Sequence, residues 1–163
     1  MYFFYKQGVM PPPPILEEGM TIRKQRPKPF VKGMRFMQIG LKRYWYFEIM
    51  TFIYCGFSRV FEEYDVILDN KIVSKAVLIS KVPKYQFLPL HGIHLCFCET
   101  IEDARGKGYY PLLLSYIQNN NPTKELYMVV DENNHSSIRG IEKAGFVRYA
   151  VGNRLPNGRF VTF

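Results

Sequence analysis

The sequence predicts an α/β (α+β) fold in which a β-sheet is flanked by helices. From about residue 61 to the end of the chain, short runs rich in β-branched residues are bounded by turn-forming residues, as strands are. Two segments between these runs have apolar residues at helical spacing, with recognisable start and end signals. Strands that alternate with helices along a chain form a sheet covered by those helices.

The length of the chain suits a single domain. Its 163 residues, of which 47% are hydrophobic and 16% aromatic, are enough for one core but not for two. We expect residues 1–163 to form one unit, with residues 61–163 as its core and residues 1–60 as an N-terminal arm or lid.

The first sixty residues contain few clear signals. Pro11 to Pro14 predict a short extended polyproline segment, and Pro27 and Pro29 exclude a long helix from the stretch that follows. Apolar residues crowd positions 44–57 without a clean period, so helix and strand compete there.

The predicted strands are apolar runs separated by turns. Residues 64–68 and 72–79 form a hairpin around the turn Asp69-Asn70-Lys71. The other predicted strands are residues 91–99, 125–130, 146–151 and 159–163, the last two paired around a turn at residues 156–158.

Two helices are predicted between these strands. The first begins near Tyr110, with Pro111 in the first turn where its missing N–H costs nothing, and ends before residues 119–122. The second has Asn134 as its N-cap and Gly145 just past its end.

The net charge of +8 favours an anionic partner, which could be nucleic acid, a membrane surface or a phosphorylated cofactor. The densest basic stretch, residues 23–28, is broken by Gln25 and Pro27, so we do not expect nucleic acid as the main ligand. No apolar stretch reaches the roughly 20 residues of a membrane span, so we expect no membrane partner.

The start of the sequence and its cysteines indicate a cellular compartment. The N-terminal residues lack the pattern of a secretory signal peptide, which predicts a cytoplasmic protein. Cys55, Cys96 and Cys98 are an odd number of cysteines, and we expect reduced thiols and no disulfide frame.

The most informative segment is the turn at residues 104–111, between a predicted strand and a predicted helix. Gly106 and Gly108 allow a tight turn and a close approach to a ligand, and the helix start supplies unpaired N–H groups. Arg105 and Lys107 add positive charge, so a diphosphate is a suitable ligand. No Walker sequence is present, and Pro111 stands where a dinucleotide fingerprint needs glycine. The alternative is that the two glycines only shape the turn.

This turn resembles the cofactor signature of the GNAT superfamily of acyl-CoA-dependent N-acyltransferases, Gln/Arg-x-x-Gly-x-Gly/Ala, with Arg105, Gly108 and Tyr110 at its fixed positions. Residues 134–146 are similar to the second helix of that superfamily, which commonly ends in Glu-Lys-x-Gly-Phe. The resemblance covers about residues 65–150. The sequence departs from the pattern at Tyr110, where Gly or Ala is usual, and at Ile141, where many relatives have a tyrosine.

The resemblance implies a central, mixed, mostly antiparallel twisted sheet whose strands splay at a cofactor cleft. It implies acetyl-CoA as cofactor, with its pyrophosphate on the turn amides and its pantetheine arm between the strand ending in Cys98-Glu99-Thr100 and residues 126–130. Residues 1–60 would then form the acceptor side. The implied cofactor-binding residues are Phe97, Cys98, Thr100, Arg105, Gly106, Lys107, Gly108, Tyr109, Tyr110, Asn134 and Ser137.

The implied reaction is direct attack of an amine on the thioester in a ternary complex, and it needs a base for the amine. Glu99 is the first candidate by its position at a strand end, followed by His94 and His91. The alternative is that Glu99 is simply a solvated or ion-paired carboxylate. With Ile141 at the usual tyrosine position, Tyr127 and Ser137 are weaker candidates to protonate the thiolate, which can also leave unaided.

His94, Cys96 and Cys98 alternate on one predicted strand, a pattern that invites a metal interpretation. At about 3.3 Å per residue, His94 and Cys98 lie roughly 13 Å apart, too far to bind one zinc ion. We therefore predict no metal site. A nucleophilic cysteine remains an alternative to two small buried side chains.

The leading hypothesis is an N-acetyltransferase that moves an acetyl group from acetyl-CoA to a primary amine. The alternatives are an acyl-CoA-binding module without turnover and a basic nucleic-acid binder whose aromatic residues stack on bases. The expected acceptor is a small-molecule amine or an amino sugar, while a peptide amine and a homodimeric assembly stay open.

Overall fold

The computed structural model of the chain describes residues 1–26, 60–81 and 85–163. The expectations for Pro27, Pro29, residues 44–57 and Cys55 concern positions outside these ranges. Among the helices described, none has the length and apolar composition needed to cross a bilayer.

The described strands form one mixed sheet of eight, in the order β2-β3-β4-β5-β6-β1-β7-β8. Every neighbouring pair is antiparallel except β5 and β6, which run parallel. The predicted fold class is thereby confirmed. The strands are β1 Tyr2–Gln7, β2 Met20–Gln25, β3 Phe61–Leu68, β4 Lys71–Ser80, β5 Ile93–Thr100, β6 Leu126–Asp131, β7 Phe146–Arg154 and β8 Phe160–Thr162.

The predicted hairpin is β3 and β4, joined by Asp69 and Asn70. These two residues have φ angles of 50° and 63°. Short polar side chains tolerate this left-handed conformation, and two such residues match the right-handed twist of the flanking strands. The strands are longer than predicted: β3 begins at Phe61, which pairs with Ile79, and not at residue 64.

Two helices, α1 Tyr109–Asn119 and α2 His135–Lys143, pack on one face of the sheet. Leu113, Leu114 and Ile117 of α1 are fully buried against it. Helix α1 begins at Tyr109, one residue earlier than predicted.

The predicted signals of α2 are both present. The Asn134 side chain accepts a hydrogen bond from the Ser137 amide at 3.1 Å, and Gly145 follows the helix with a φ of 84°. The N-cap and the C-terminal glycine are therefore confirmed.

The expectation of an N-terminal arm is wrong for residues 2–7 and 20–25. Strand β1 lies inside the sheet, between β6 and β7, and its Phe4 and Tyr5 are fully buried. Strand β2 pairs with β3 at the opposite edge. A central strand at the very start of a chain finds its partners more than a hundred residues later, and no local pattern signals that pairing.

Candidate functional site

Strands β5 and β6 separate soon after they pair. Their register contains only two pairs, Ile93 with Leu126 and His94 with Tyr127. Further along β5, Phe97 has a φ of 51° and the register with β4 shifts between Lys75 and Val77. A bulge of this kind bends its strand, and the expected splay of the two strands is present.

A cavity of about 690 Å³ lies where the separated end of β5 meets the start of α1 and one side of α2. That size is within the range of small-molecule sites. Ten of the eleven residues predicted to bind the cofactor line it, together with Glu99. Lys107 is the predicted residue that does not line it, and its side chain is exposed.

The glycine turn at the start of α1 is open. Gly106 and Gly108 have φ angles of 76° and 85°, and a Cβ added at either would meet nothing within 4 Å. Helix α1 has Gly108 as its N-cap, without a side-chain cap, and no acidic residue in its first turn. Across the part of the chain that the structure describes, no protein group accepts a hydrogen bond from the backbone amides of residues 106–109.

Helix geometry explains why these amides are available. The first N–H groups of a helix have no partner within it, and the first bond inside α1 runs from the Leu112 amide to Gly108 at 3.1 Å. Pro111 has no N–H, so Tyr109 and Tyr110 supply the donors of the first turn. Arg105 is held at the turn by a hydrogen bond from its Nε to the carbonyl of Thr100 at 3.3 Å. The turn can therefore accept an anion.

The side chain of Tyr110 lies in the cleft, a placement that the sequence does not predict. Its ring packs on Gly140, where an added Cβ would lie 2.5 Å from Cδ1. Its hydroxyl end lies beside the side chain of Cys98 of β5. Burial, reinforced by the Cys98 sulfur, raises the pKa of Tyr110 well above its ordinary value. The family pattern has a small side chain at this position. It therefore predicts a role for the backbone amide of Tyr110 in binding phosphate and none for the side chain.

The two described cysteines are neutral thiols. Burial raises the pKa of Cys98 to about 12, against a small lowering from Tyr110. Burial also raises the pKa of Cys96 well above its usual range. A nucleophilic cysteine needs a lowered pKa, so these surroundings favour the interpretation as packed side chains, although both residues are half-buried and line a cavity.

A second cavity, of about 310 Å³, adjoins the first and shares Tyr110, Cys98 and Ser137 with it among its lining residues. His94, Cys96 and Phe97 of β5 border it, and so do three aromatic residues, Tyr85 shortly before β5, Tyr2 of β1 and Phe160 of β8. Tyr2 and Phe160 carry no local signal of a site, because only the sheet order brings β1 and β8 near β5 and β6.

The candidate bases lie in different places. The Glu99 carboxylate forms an ion pair with Lys75 at 3.4 Å and lines the larger cavity. His94 is buried, with its ring centroid 4.3 Å from that of Tyr85, and lines the smaller cavity. His91 is exposed in the loop before β5.

Tyr127 does not point into the cleft. Its hydroxyl donates to Glu125 at 3.2 Å, and the residue borders neither of the two cavities. By the alternation of β6, Leu126, Met128 and Val130 face the helices and Tyr127 faces the other side of the sheet. Ile141 is buried, and Ser137 lines both cavities. Over the described ranges, no three potential ligand side chains are grouped to hold a metal ion.

Comparisons with known proteins identify the fold. No protein-family model matches the sequence, and no curated protein matches it. A tandem GNAT protein from the clavulanic acid biosynthesis pathway superposes with a TM-score of 0.60 at 16% identity, covering 91% of this chain and 50% of that one. A GNAT-family acetyltransferase from Colwellia psychrerythraea gives 0.54 at 13% identity, covering 90% and 52%.

AAC(6')-Ib, solved with ribostamycin and coenzyme A, gives a TM-score of 0.51 at 19% identity and covers 63% of this chain and 62% of that one. The chain therefore has the fold of the GNAT acetyltransferases. It spans between 50% and 62% of the length of these three structures.

Proposed function

We propose that the chain is an acyl-CoA-dependent N-acetyltransferase that transfers an acetyl group from acetyl-CoA to a primary amine in a ternary complex. The observation that carries the proposal is the junction of two features. A cleft between separated strands opens directly onto a glycine turn whose amides have no protein acceptor among the described residues. A thioester carried on a nucleotide diphosphate would fit both features: the diphosphate would bind to the glycine turn, and the thioester arm would lie in the cleft.

The cofactor would occupy the larger cavity. Its diphosphate would accept hydrogen bonds from the amides of residues 106–110, beside Arg105. Its pantetheine arm would lie between β5 and β6 and bond to strand backbone as an added strand does. Phe97, Cys98 and Thr100 on β5, with Asn134 and Ser137 on α2, would form the walls of this path.

The acceptor amine would enter through the smaller cavity and attack the thioester where the two cavities meet. Of the candidate bases, His94 lies in that cavity, while Glu99 lies in the larger one with its charge balanced by Lys75. His94 is therefore the better placed to receive the proton of the amine. Replacing His94 or Glu99 with glutamine tests this ranking of the two bases, because the substitution of the true base should lower kcat more.

The departing thiolate would form near Tyr110. Because burial raises the pKa of Tyr110, its hydroxyl is a poor proton source for a thiolate whose conjugate acid has a pKa of about 8.5. The hydroxyl would instead donate a hydrogen bond to the thiolate, which would leave as an anion.

A small-molecule amine or an amino sugar is the proposed acceptor class. The cavity of about 310 Å³ with aromatic walls suits a compact acceptor, and rings of this kind stack on the apolar face of a sugar. AAC(6')-Ib, a fold neighbour, is solved with ribostamycin, which is compatible with this class. The free thiols of Cys96 and Cys98, the cysteines within the described ranges, fit a cytoplasmic location.

A second candidate is a module that binds acyl-CoA without turnover. It is favoured by the Tyr110 ring, which lies in the cleft where the family pattern expects a small residue, and by Ile141 at the usual tyrosine position. Release of free thiol from acetyl-CoA over a panel of amines separates the two functions. CoA binding without release on any amine would favour the module.

The binding site is tested by Gly108→Glu and its uncharged counterpart Gly108→Gln, with CoA binding followed by titration calorimetry. Both variants suffer the same backbone strain, about 1–2 kcal/mol for a side chain at this φ, and the Cβ of either meets no atom within 4 Å. We expect Gly108→Glu to abolish CoA binding through charge and Gly108→Gln to weaken it much less. Equal affinities for the wild type and Gly108→Glu would refute the assigned site.

A further inference from the structure

Helix α2 presents a row of polar side chains to the larger cavity. Ser136, Arg139 and Lys143 are three and four residues apart, which places them on one face of a helix, and all three line the cavity. Gly140, in the same row, is the residue on which the Tyr110 ring rests. The row therefore faces the open first turn of α1.

Arg139 and Lys143 are like charges at i and i+4, an arrangement that weakens a helix when nothing neutralises it. Within residues 1–26, 60–81 and 85–163, no carboxylate forms an ion pair with either side chain. Glu142, their neighbour in sequence, points to the other side and accepts a hydrogen bond from Tyr5 at 2.8 Å. A bound anion would remove this repulsion.

The cavity thus has two separate groups that attract anions. The first is the glycine turn with Arg105, and the second is the pair of Arg139 and Lys143. From Ser136 to Lys143 the row is about 10 Å long at 1.5 Å per residue. Arg139 and Lys143 lie on a different helix from the turn amides, so they can hold an anionic group in addition to a diphosphate on the turn.

We propose that Arg139 and Lys143 bind a further phosphate of the cofactor, separate from its diphosphate. A nucleotide with a 5′-diphosphate and a 3′-phosphate, as in coenzyme A, has this arrangement of charges. The inference rests on the proposed function and extends it, because it makes the 3′-phosphate a determinant of which acyl carrier the chain accepts.

The test compares CoA with 3′-dephospho-CoA by titration calorimetry. We expect the wild type to bind CoA about tenfold to a hundredfold more tightly, the range for hydrogen bonds between charged groups. The double variant Arg139→Gln/Lys143→Gln should lose this preference, with its CoA affinity falling to that of 3′-dephospho-CoA. Its affinity for 3′-dephospho-CoA should stay nearly unchanged.

The charge-matched control is Lys6→Gln/Arg159→Gln, which removes two positive charges from side chains outside both cavities. We expect it to keep the preference of the wild type. Equal wild-type affinities for the two ligands would overturn the inference, and so would an equal loss for both ligands in the Arg139/Lys143 variant, since the pair would then serve the diphosphate. Failure of the wild type to bind either ligand would instead reject the proposed function.

Discussion

Gly140 and Tyr110 make the packing of α2 against α1 sensitive to a single methyl group. A Cβ at Gly140 would lie 2.5 Å from Cδ1 and 2.8 Å from Cε1 of the Tyr110 ring. The ring has little freedom to move away, because it packs against the core beside Cys98 of β5. We therefore expect Gly140→Ala to destabilise the protein, although alanine is the better helix former.

The magnitude follows from two opposing effects. Alanine in a helix interior is favoured over glycine by about 0.8–1.0 kcal/mol. Forcing a methyl group into a packed site costs about 1–3 kcal/mol. The net effect of Gly140→Ala on the free energy of unfolding is a loss of about 0–2 kcal/mol. When Tyr110→Ala has removed the ring, the same change should stabilise by about 0.8–1.0 kcal/mol.

Urea denaturation of the wild type, the two single variants and the double variant measures this coupling by linear extrapolation. Circular dichroism first establishes that the Tyr110→Ala protein is folded. The expected signature is a coupling energy of about 1–3 kcal/mol, with the effect of Gly140→Ala more favourable when the ring is absent. An effect of the same sign and size in both backgrounds would refute the assigned contact.

Two further predictions concern a helix cap and a thiol. Asn134→Ala removes the cap of α2 and should lower the free energy of unfolding by about 1 kcal/mol, or Tm by about 2–4 °C. Asn134→Asp should retain most of the stability, because aspartate also caps helices. Equal losses in the two variants would contradict the cap. Since burial raises the pKa of Cys98 from 9.0 to about 12, the folded protein holds its thiol proton more tightly than the unfolded chain. Alkylation of Cys98 at pH 9, followed by peptide mass spectrometry, should therefore be about several hundredfold slower in the folded protein than in urea. The stability that the raised pKa of Cys98 contributes should fall as pH rises from 9 toward 12. Equal alkylation rates in the folded and unfolded protein would contradict the burial.

The features that the sequence predicts correctly are those that depend on neighbours in the chain. The Asp69-Asn70 turn needs only two residues that tolerate positive φ, and it joins the predicted strands. The N-cap of α2 needs only a side chain within reach of the amide three residues on. The open turn before α1 likewise follows from Gly106 and Gly108.

The features that the sequence does not predict depend on distant partners. Strand β1 pairs Phe3 with Val130 and Val151, and a short run at the start of the chain does not identify such partners. The aromatic walls of the smaller cavity are missed for the same reason, since Tyr2 and Phe160 come from opposite ends of the chain.

The placement of Tyr127 could have been predicted. Side chains alternate along a strand, so the apolar residues Leu126, Met128 and Val130 of β6 fix the side of the sheet that faces the helices. Tyr127 must then face the other side of the sheet. Counting residues along the strand is therefore enough to place Tyr127 on the face of the sheet opposite the helices.

Tyr110, where the sequence departs from the family pattern, packs against Gly140, and this contact changes how the departure is interpreted. Taken alone, a tyrosine where the family pattern has Gly or Ala suggests a blocked cofactor path. The ring, however, occupies the space left by the missing side chain of Gly140, and the glycines of the turn stay open. Tyr110 and Gly140 therefore act as a pair, in which a large residue at one position requires the smallest at the other. Close relatives should follow this rule, with glycine opposite an aromatic residue and larger residues only opposite a small one. A relative with an aromatic residue at position 110 and a branched residue at 140, folded and active, would show that the ring has another place to go.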